Sequence, residues 1–128
     1  MKQQGVDVAK QVLIVDDALF MRNLLRDIFE AAEWQVVGEA ENGLQAIEQF
    51  NALQPDLVTM DIVMPELNGL DAMQKILEEH PQAKIVMCSA LGQESMVMEA
   101  IKGGAKDFII KPFQDDQVLD VVERVCAD

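Results

Sequence analysis

Five short apolar runs punctuate the chain: Val12-Leu13-Ile14-Val15, Val36-Val37, Leu57-Val58-Thr59-Met60, Ile85-Val86-Met87-Cys88 and Phe108-Ile109-Ile110. Between them, apolar residues recur at helical spacing. The clearest case is Leu19-Phe20, Leu24-Leu25 and Ile28-Phe29, which present one face of a helix. The pattern predicts strands over about 11–15, 35–40, 57–60, 84–88 and 108–110. It predicts helices over about 19–29, 44–53, 70–79, 94–102 and 115–125. Punctuation agrees: Asn42-Gly43, Pro55-Asp56 and Asn68-Gly69 mark turns, Pro81 closes the third helix, and Gly103-Gly104 stops the fourth. Asp17 stands where an N-cap for the first helix is wanted. His80, just before Pro81, reads as a helix C-terminal residue beside the dipole.

Strand starts fall roughly 22 to 28 residues apart, the span of a compact βα unit. The strands are short and apolar, as parallel strands covered on both faces should be. The fold class is therefore α/β: a five-stranded parallel sheet, doubly wound as (βα)5. Strand order does not follow from the sequence, but the flavodoxin-like order 2-1-3-4-5 is the common one for five strands. Residues 1–10 read as a short polar N-terminal arm, and 11–128 as one domain with no output domain.

In such a sheet the carboxyl ends of all strands share one edge, and ligands bind there. Four of the five runs end in reactive residues: Asp16-Asp17 after the first, Asp61 after the third, Ser89-Ala90 after the fourth and Lys111-Pro112 after the fifth. Each has an ordinary reading alone, as a helix cap, a strand-end hydroxyl or a solvated lysine. Together they place three carboxylates, a hydroxyl and an ammonium at one mouth. Two unit charges about 4 Å apart repel by roughly 4 kcal/mol at an effective dielectric of 20, so three converging acids call for a cation. Mg²⁺ suits one or two carboxylates, waters and a phosphate oxygen. This is the inventory for phosphorylating an aspartate.

Composition narrows the rest. The chain has 128 residues, half of them hydrophobic, with 23 acids against 10 bases and a formal net charge of −13. A surface that acidic disfavours nucleic acid. No apolar stretch reaches membrane-spanning length, and the N-terminus lacks a signal-peptide core. Cys88 and Cys126 are the only cysteines and have no metal-ligand spacing. Cys88 sits in an apolar strand as packing. A reduced, cytoplasmic setting follows. One histidine excludes most zinc sites and catalytic triads.

The segments Leu13-Ile14-Val15-Asp16-Asp17, Met60-Asp61-Ile62-Val63-Met64-Pro65, Ser89-Ala90 and Lys111-Pro112-Phe113 match, in order and separation, a response-regulator receiver domain. The chain resembles that family from about residue 11 to 125. Within it the chain is most similar to stand-alone chemotaxis regulators, on the stretches Asp16 to Arg22, Met87 to Ala90 and Gly104 to Gln114.

The resemblance implies that Asp61 is the phosphoacceptor, taking phosphate from a phosphohistidine on a histidine kinase. Asp17, Asp61 and the backbone carbonyl of Val63 would ligate Mg²⁺, with Asp16 acting mainly through water. Lys111 would pair with a phosphoryl oxygen and Ser89 would hydrogen-bond another. The peptide bond before Pro112 would be cis. Phe108 would be the aromatic switch that follows Ser89, against the simpler reading of a core strand residue. The output face would be the fourth helix, fifth strand and fifth helix, with Met96, Met98, Ile101, Lys102, Lys106 and Val118 as candidates. Val63 and Leu91 occupy the positions that place the hydrolytic water in relatives, and both are apolar.

The implied function is a phosphorylation-activated chemotaxis regulator, not an enzyme, that signals to a flagellar motor switch protein and depends on a separate phosphatase. A single-domain phosphorelay carrier uses the same site. An aspartate-nucleophile phosphatase wants Asp-x-Asp after the first strand, and a flavin protein wants a glycine- and hydroxyl-rich loop there; the adjacent acids fit neither.

Overall fold

A computed structural model describes residues 9–127. The arm expected at residues 1–10 lies mostly outside the described residues. The chain alternates β1 (Gln11–Val15), α1 (Leu19–Ala31), β2 (Gln35–Ala40), α2 (Gly43–Leu53), β3 (Leu57–Asp61), α3 (Gly69–Glu79), β4 (Ile85–Ser89), α4 (Glu94–Gly103), β5 (Asp107–Ile110) and α5 (Asp115–Val125). The five strands are parallel in the order β2-β1-β3-β4-β5. β3 and β4 each run one residue beyond the sequence expectation, so Asp61 and Ser89 are themselves strand-terminal residues.

Alternating side chains feed two cores, one on each face of the sheet. Leu13, Val15, Val58, Met60, Ile85 and Met87 pack with Phe50, Met73, Ile76 and Val97 from α2, α3 and α4. Val12, Ile14, Leu57, Val86, Cys88 and Ile109 pack with Leu25, Ile28 and Phe29 of α1 and Val118 and Val122 of α5. The three central strands are almost wholly buried, which is why they read as continuous apolar runs. Burial of this apolar surface on both faces is the main force holding the layers together. Among the described residues, Thr59 has the only buried side-chain polar atom without a hydrogen-bond partner.

Several local expectations hold. The chain turns into α2 at Asn42-Gly43 and into α3 at Asn68-Gly69, and the structure adds that Asn42 and Asn68 are the caps, their side-chain oxygens accepting from the amides of Gln45 and Asp71 at 2.9 Å. His80 is the C-cap of α3. Gly104 ends α4 with φ of 121°, a conformation glycine adopts at little cost. Two expectations are corrected. Asp17 does not cap α1; Ala18, extended at φ −97° and ψ 118°, takes that position without a side-chain cap, which leaves Asp17 one residue outside the helix whose first-turn amides a cap must reach. The Asp16 carboxylate accepts from the Ala18 amide at 2.9 Å. Val118 is fully buried against the sheet and is no part of an exposed output face. Among the described residues, no helix is long and apolar enough to cross a membrane.

Candidate functional site

The parallel sheet delivers Asp16, Asp61, Ser89 and Lys111 to its carboxyl edge, where loops rather than helices cover them. Asp16 and Ser89 are each 1% exposed and Asp61 8%, while Asp17 is exposed. One carboxylate oxygen from each of Asp16, Asp17 and Asp61 lies within 4.8 Å of the others. The Lys111 ammonium donates to Asp16 Oδ2 at 2.9 Å and stands 3.4 Å from Asp61 Oδ2. Its backbone is fixed by a hydrogen bond from the Lys111 amide to the Ser89 carbonyl at 2.8 Å, and the Lys111–Pro112 bond is cis.

One ammonium does not neutralise three carboxylates. Burial raises the Asp61 carboxyl to about 6; Lys111 pulls against this rise, and Asp16 and Asp17 add to it. Burial alone would lower Lys111, but its bond to Asp16 and the charge of Asp61 outweigh burial and raise it. Cys88, opposite Asp61 in the β3–β4 register, is pushed up to about 12 by burial, so its thiol is packing and not a nucleophile. The clustering of hard oxygen donors with excess negative charge fits a divalent cation, and the residues that could hold one are Asp16, Asp17 and Asp61.

The loop after β3 turns back tightly over the site. The Gly69 amide donates to the Ile62 carbonyl at 2.7 Å. A Cβ at Gly69 would collide with the Asp61 carbonyl oxygen, so α3 can begin this close to the strand end only with glycine there. Val63 and Leu91, on the loops after β3 and β4, are 49% and 75% exposed.

Beside Ser89 lies a cavity of about 200 Å³, lined also by Val97, Met98, Ile101, Phe108 and Ile110. Phe108 is 36% exposed, and the core position in β5 belongs to Ile109. The reading of Phe108 as a core residue is therefore corrected. Met98, Ile101, Lys102 and Lys106 are exposed on the same side, and Met96 packs against the core. A larger cavity, about 570 Å³, opens between α1 and α5 beside Lys10, Trp34 and Cys126, and includes none of the clustered acids.

Sequence reasoning passed over Arg22. This arginine of α1 is 8% exposed; it donates to the Asp16 backbone carbonyl at 2.7 Å and to Glu39 at 2.8 Å. The signal was available. Arg22 interrupts the apolar stripe formed by Leu25, Ile28 and Phe29, and a charge on a buried stripe needs a partner.

The geometry has counterparts among known proteins. The response regulator receiver domain model matches residues 12–123. The chain is 56% identical over 118 residues to the chemotaxis protein CheY of Thermotoga maritima, covering 92% of this chain and 98% of that one. It is 54% identical over 117 residues to the CheY of Bacillus subtilis, covering 91% and 98%. A solved CheX–CheY–BeF3–Mg complex from Borrelia burgdorferi superposes with a TM-score of 0.89 at 34% identity, over 95% of this chain and 96% of that one. With strand order, edge acids and near full-length identity in agreement, the chain belongs to the response regulator receiver domain family, among relatives named as chemotaxis proteins.

Proposed function

We propose that this protein is a phosphorylation-activated chemotaxis response regulator, in which a histidine kinase phosphorylates Asp61 and the modified form signals to a flagellar motor switch protein. The observation that carries this reading is the meeting of Asp16, Asp17 and Asp61 within 4.8 Å, with Lys111 paired to Asp16 and Asp61.

An Asp61 carboxylate oxygen forms a bond to phosphorus as the P–N bond of the donor phosphohistidine breaks. The imidazole leaves with the electron pair and takes up a proton. Catalysis here is positioning and charge stabilisation. Asp17, Asp61 and the Val63 backbone carbonyl would hold Mg²⁺, with Asp16 reaching it mainly through water. Bound there, Mg²⁺ supplies positive charge to the phosphoryl oxygens. Asp16 suits an indirect role because its Oδ1 accepts from the Ala18 amide and its Oδ2 from Lys111. Lys111 then pairs with a phosphoryl oxygen, and Ser89 hydrogen-bonds another.

Phosphorylation adds charge and acceptor oxygens at the site. Ser89 is drawn toward them, and Phe108 fills the neighbouring cavity. With phenylalanine there and no tyrosine in the chain, the switch rests on ring burial without a phenolic hydrogen bond. The readout face is α4 and β5, where Met98, Ile101, Lys102 and Lys106 are exposed. The protein acts as a phosphoacceptor switch rather than an enzyme, in the cytoplasm. A separate phosphatase terminates the signal.

The test is incubation with acetyl phosphate and Mg²⁺ followed by mass measurement and capture. Wild type should gain one phosphoryl group and then retain a motor switch protein; Asp61→Asn should do neither. Labelling of Asp61→Asn at the wild-type rate would remove the assignment.

A further inference from the structure

The turn between β1 and α1 is held by hydrogen bonds to both the backbone and the side chain of Asp16. The Asp16 amide donates to the Ala40 carbonyl of β2 at 3.0 Å. Asp16 Oδ1 accepts from the Ala18 amide and Oδ2 from Lys111, both at 2.9 Å. The Asp16 carbonyl oxygen accepts from Arg22 Nη1 at 2.7 Å. Arg22 Nε is in turn engaged by Glu39 Oε1 at 2.8 Å, and Glu39 Oε2 takes two further bonds from Arg26, at 2.7 and 2.9 Å. Glu39 sits on β2 in register with Ile14. The Arg22 guanidinium thus bridges a neighbouring strand to the turn that carries both acids.

The carbonyl that Arg22 holds belongs to the peptide group joining Asp16 to Asp17. That group is planar, so fixing its oxygen also fixes the Asp17 nitrogen and the direction in which the Asp17 side chain leaves the backbone. Asp17 is the exposed member of the acid cluster, and its short side chain cannot correct a rotated peptide plane. Burying a guanidinium is costly unless both its charge and its donors are met. Here the fork is met by a carboxylate and a backbone carbonyl, a geometry one ammonium cannot reproduce.

From this geometry we infer that Arg22, braced by Glu39, is a positioning residue for the cation site: it locks the Asp16–Asp17 peptide and so sets where Asp17 presents its carboxylate. This inference rests on the reading of Asp16, Asp17 and Asp61 as a Mg²⁺ site. Charge and position predict opposite effects here. The Arg22 charge opposes a divalent cation, so its removal would tighten binding if charge were all that mattered. Loss of positioning weakens binding.

The experiment is a Mg²⁺ titration of the full chain, followed by calorimetry and by the amide resonances of Asp17 and Ala18. Wild type, Arg22→Met and Arg22→Lys are compared at a temperature where circular dichroism shows each fully folded. Both variants should raise the Mg²⁺ Kd by about tenfold, the scale typical of lost outer-shell support. Arg22→Lys keeps the charge and most of the stem, so its weakening isolates the fork and guards against a misfolded Arg22→Met. A Kd equal to or below wild type in Arg22→Lys overturns the inference, whatever the melting temperature does. Absence of Mg²⁺ binding by wild type overturns the site reading and this inference with it.

Discussion

The Lys111 ammonium lies 2.9 Å from Asp16 Oδ2 across 95 residues of sequence, and Asp16 is 1% exposed. The lysine is the counter-charge to a nearly buried carboxylate. Breaking a buried pair by removing one partner leaves an uncompensated charge. Lys111→Ala should therefore lower stability in Mg²⁺-free buffer by about 3 kcal/mol, with part of the loss restored by added Mg²⁺. Urea unfolding with and without the ion checks this. An unchanged midpoint without Mg²⁺ would show that the pair contributes nothing. The phosphorylated variant should also bind the proposed motor switch partner more weakly than phosphorylated wild type.

Asp61 gives the fold a pH dependence of unusual sign for an aspartate. Its folded pKa is raised, from 3.8 to about 6, with burial the first cause. The folded state then binds more protons than the unfolded state between these values, so stability falls as pH rises from about 4 to 6. The full displacement corresponds to about 3 kcal/mol. In EDTA, wild type should lose stability across that window and Asp61→Asn should lose markedly less. Denaturant midpoints at pH 4, 5, 6 and 7 measure the difference. Parallel profiles for the two proteins would contradict the raised pKa.

Val63 and Leu91 bear on the lifetime of the modified state. Neither side chain can donate or accept a hydrogen bond, so neither can place a water in line with the phosphorus. Self-dephosphorylation should be slow, and Val63→Asn with Leu91→Glu should speed it at least about tenfold, equivalent to about 1.4 kcal/mol of barrier. The decay of phosphorylated protein in Mg²⁺ buffer is the readout, and equal rates would show that apolar cover does not set the lifetime.

Gly69 links helix placement to Asp61, the proposed acceptor. A Cβ there would meet the Asp61 carbonyl oxygen and crowd Ile62 Cα at 3.0 Å, both backbone atoms that cannot rotate away. Gly69→Ala should cost about 2 kcal/mol, within the range for overpacking, and slow phosphorylation by displacing Asp61. Chemical denaturation and acetyl phosphate labelling test both parts; a fully stable, normally labelled variant would mean the loop has room that this geometry denies.

The element order and the chemistry of the edge were legible in the sequence, because buried parallel strands must be apolar along their length and reactive residues then stand out at their ends. Asp16, Asp61, Ser89 and Lys111 announced themselves in this way, and Asn42, Asn68 and His80 marked helix ends through short-range hydrogen bonding. Relations between distant segments were decided only by tertiary packing. Strand order depends on how the crossovers wind, which local pattern does not encode. Asp17 was a good N-cap by type, but the helix starts one residue later, with Ala18 at the cap position. Val118, expected on the exposed output face, is turned onto the sheet by α5, and in the short β5 it is Ile109 that is buried while Phe108, expected as the switch, stands at the edge. The partners of Arg22, Glu39 on β2 and the Asp16 carbonyl, could emerge only once β2 lay beside β1, since a hydrogen bond between distant residues is a property of the packed chain and not of either local segment.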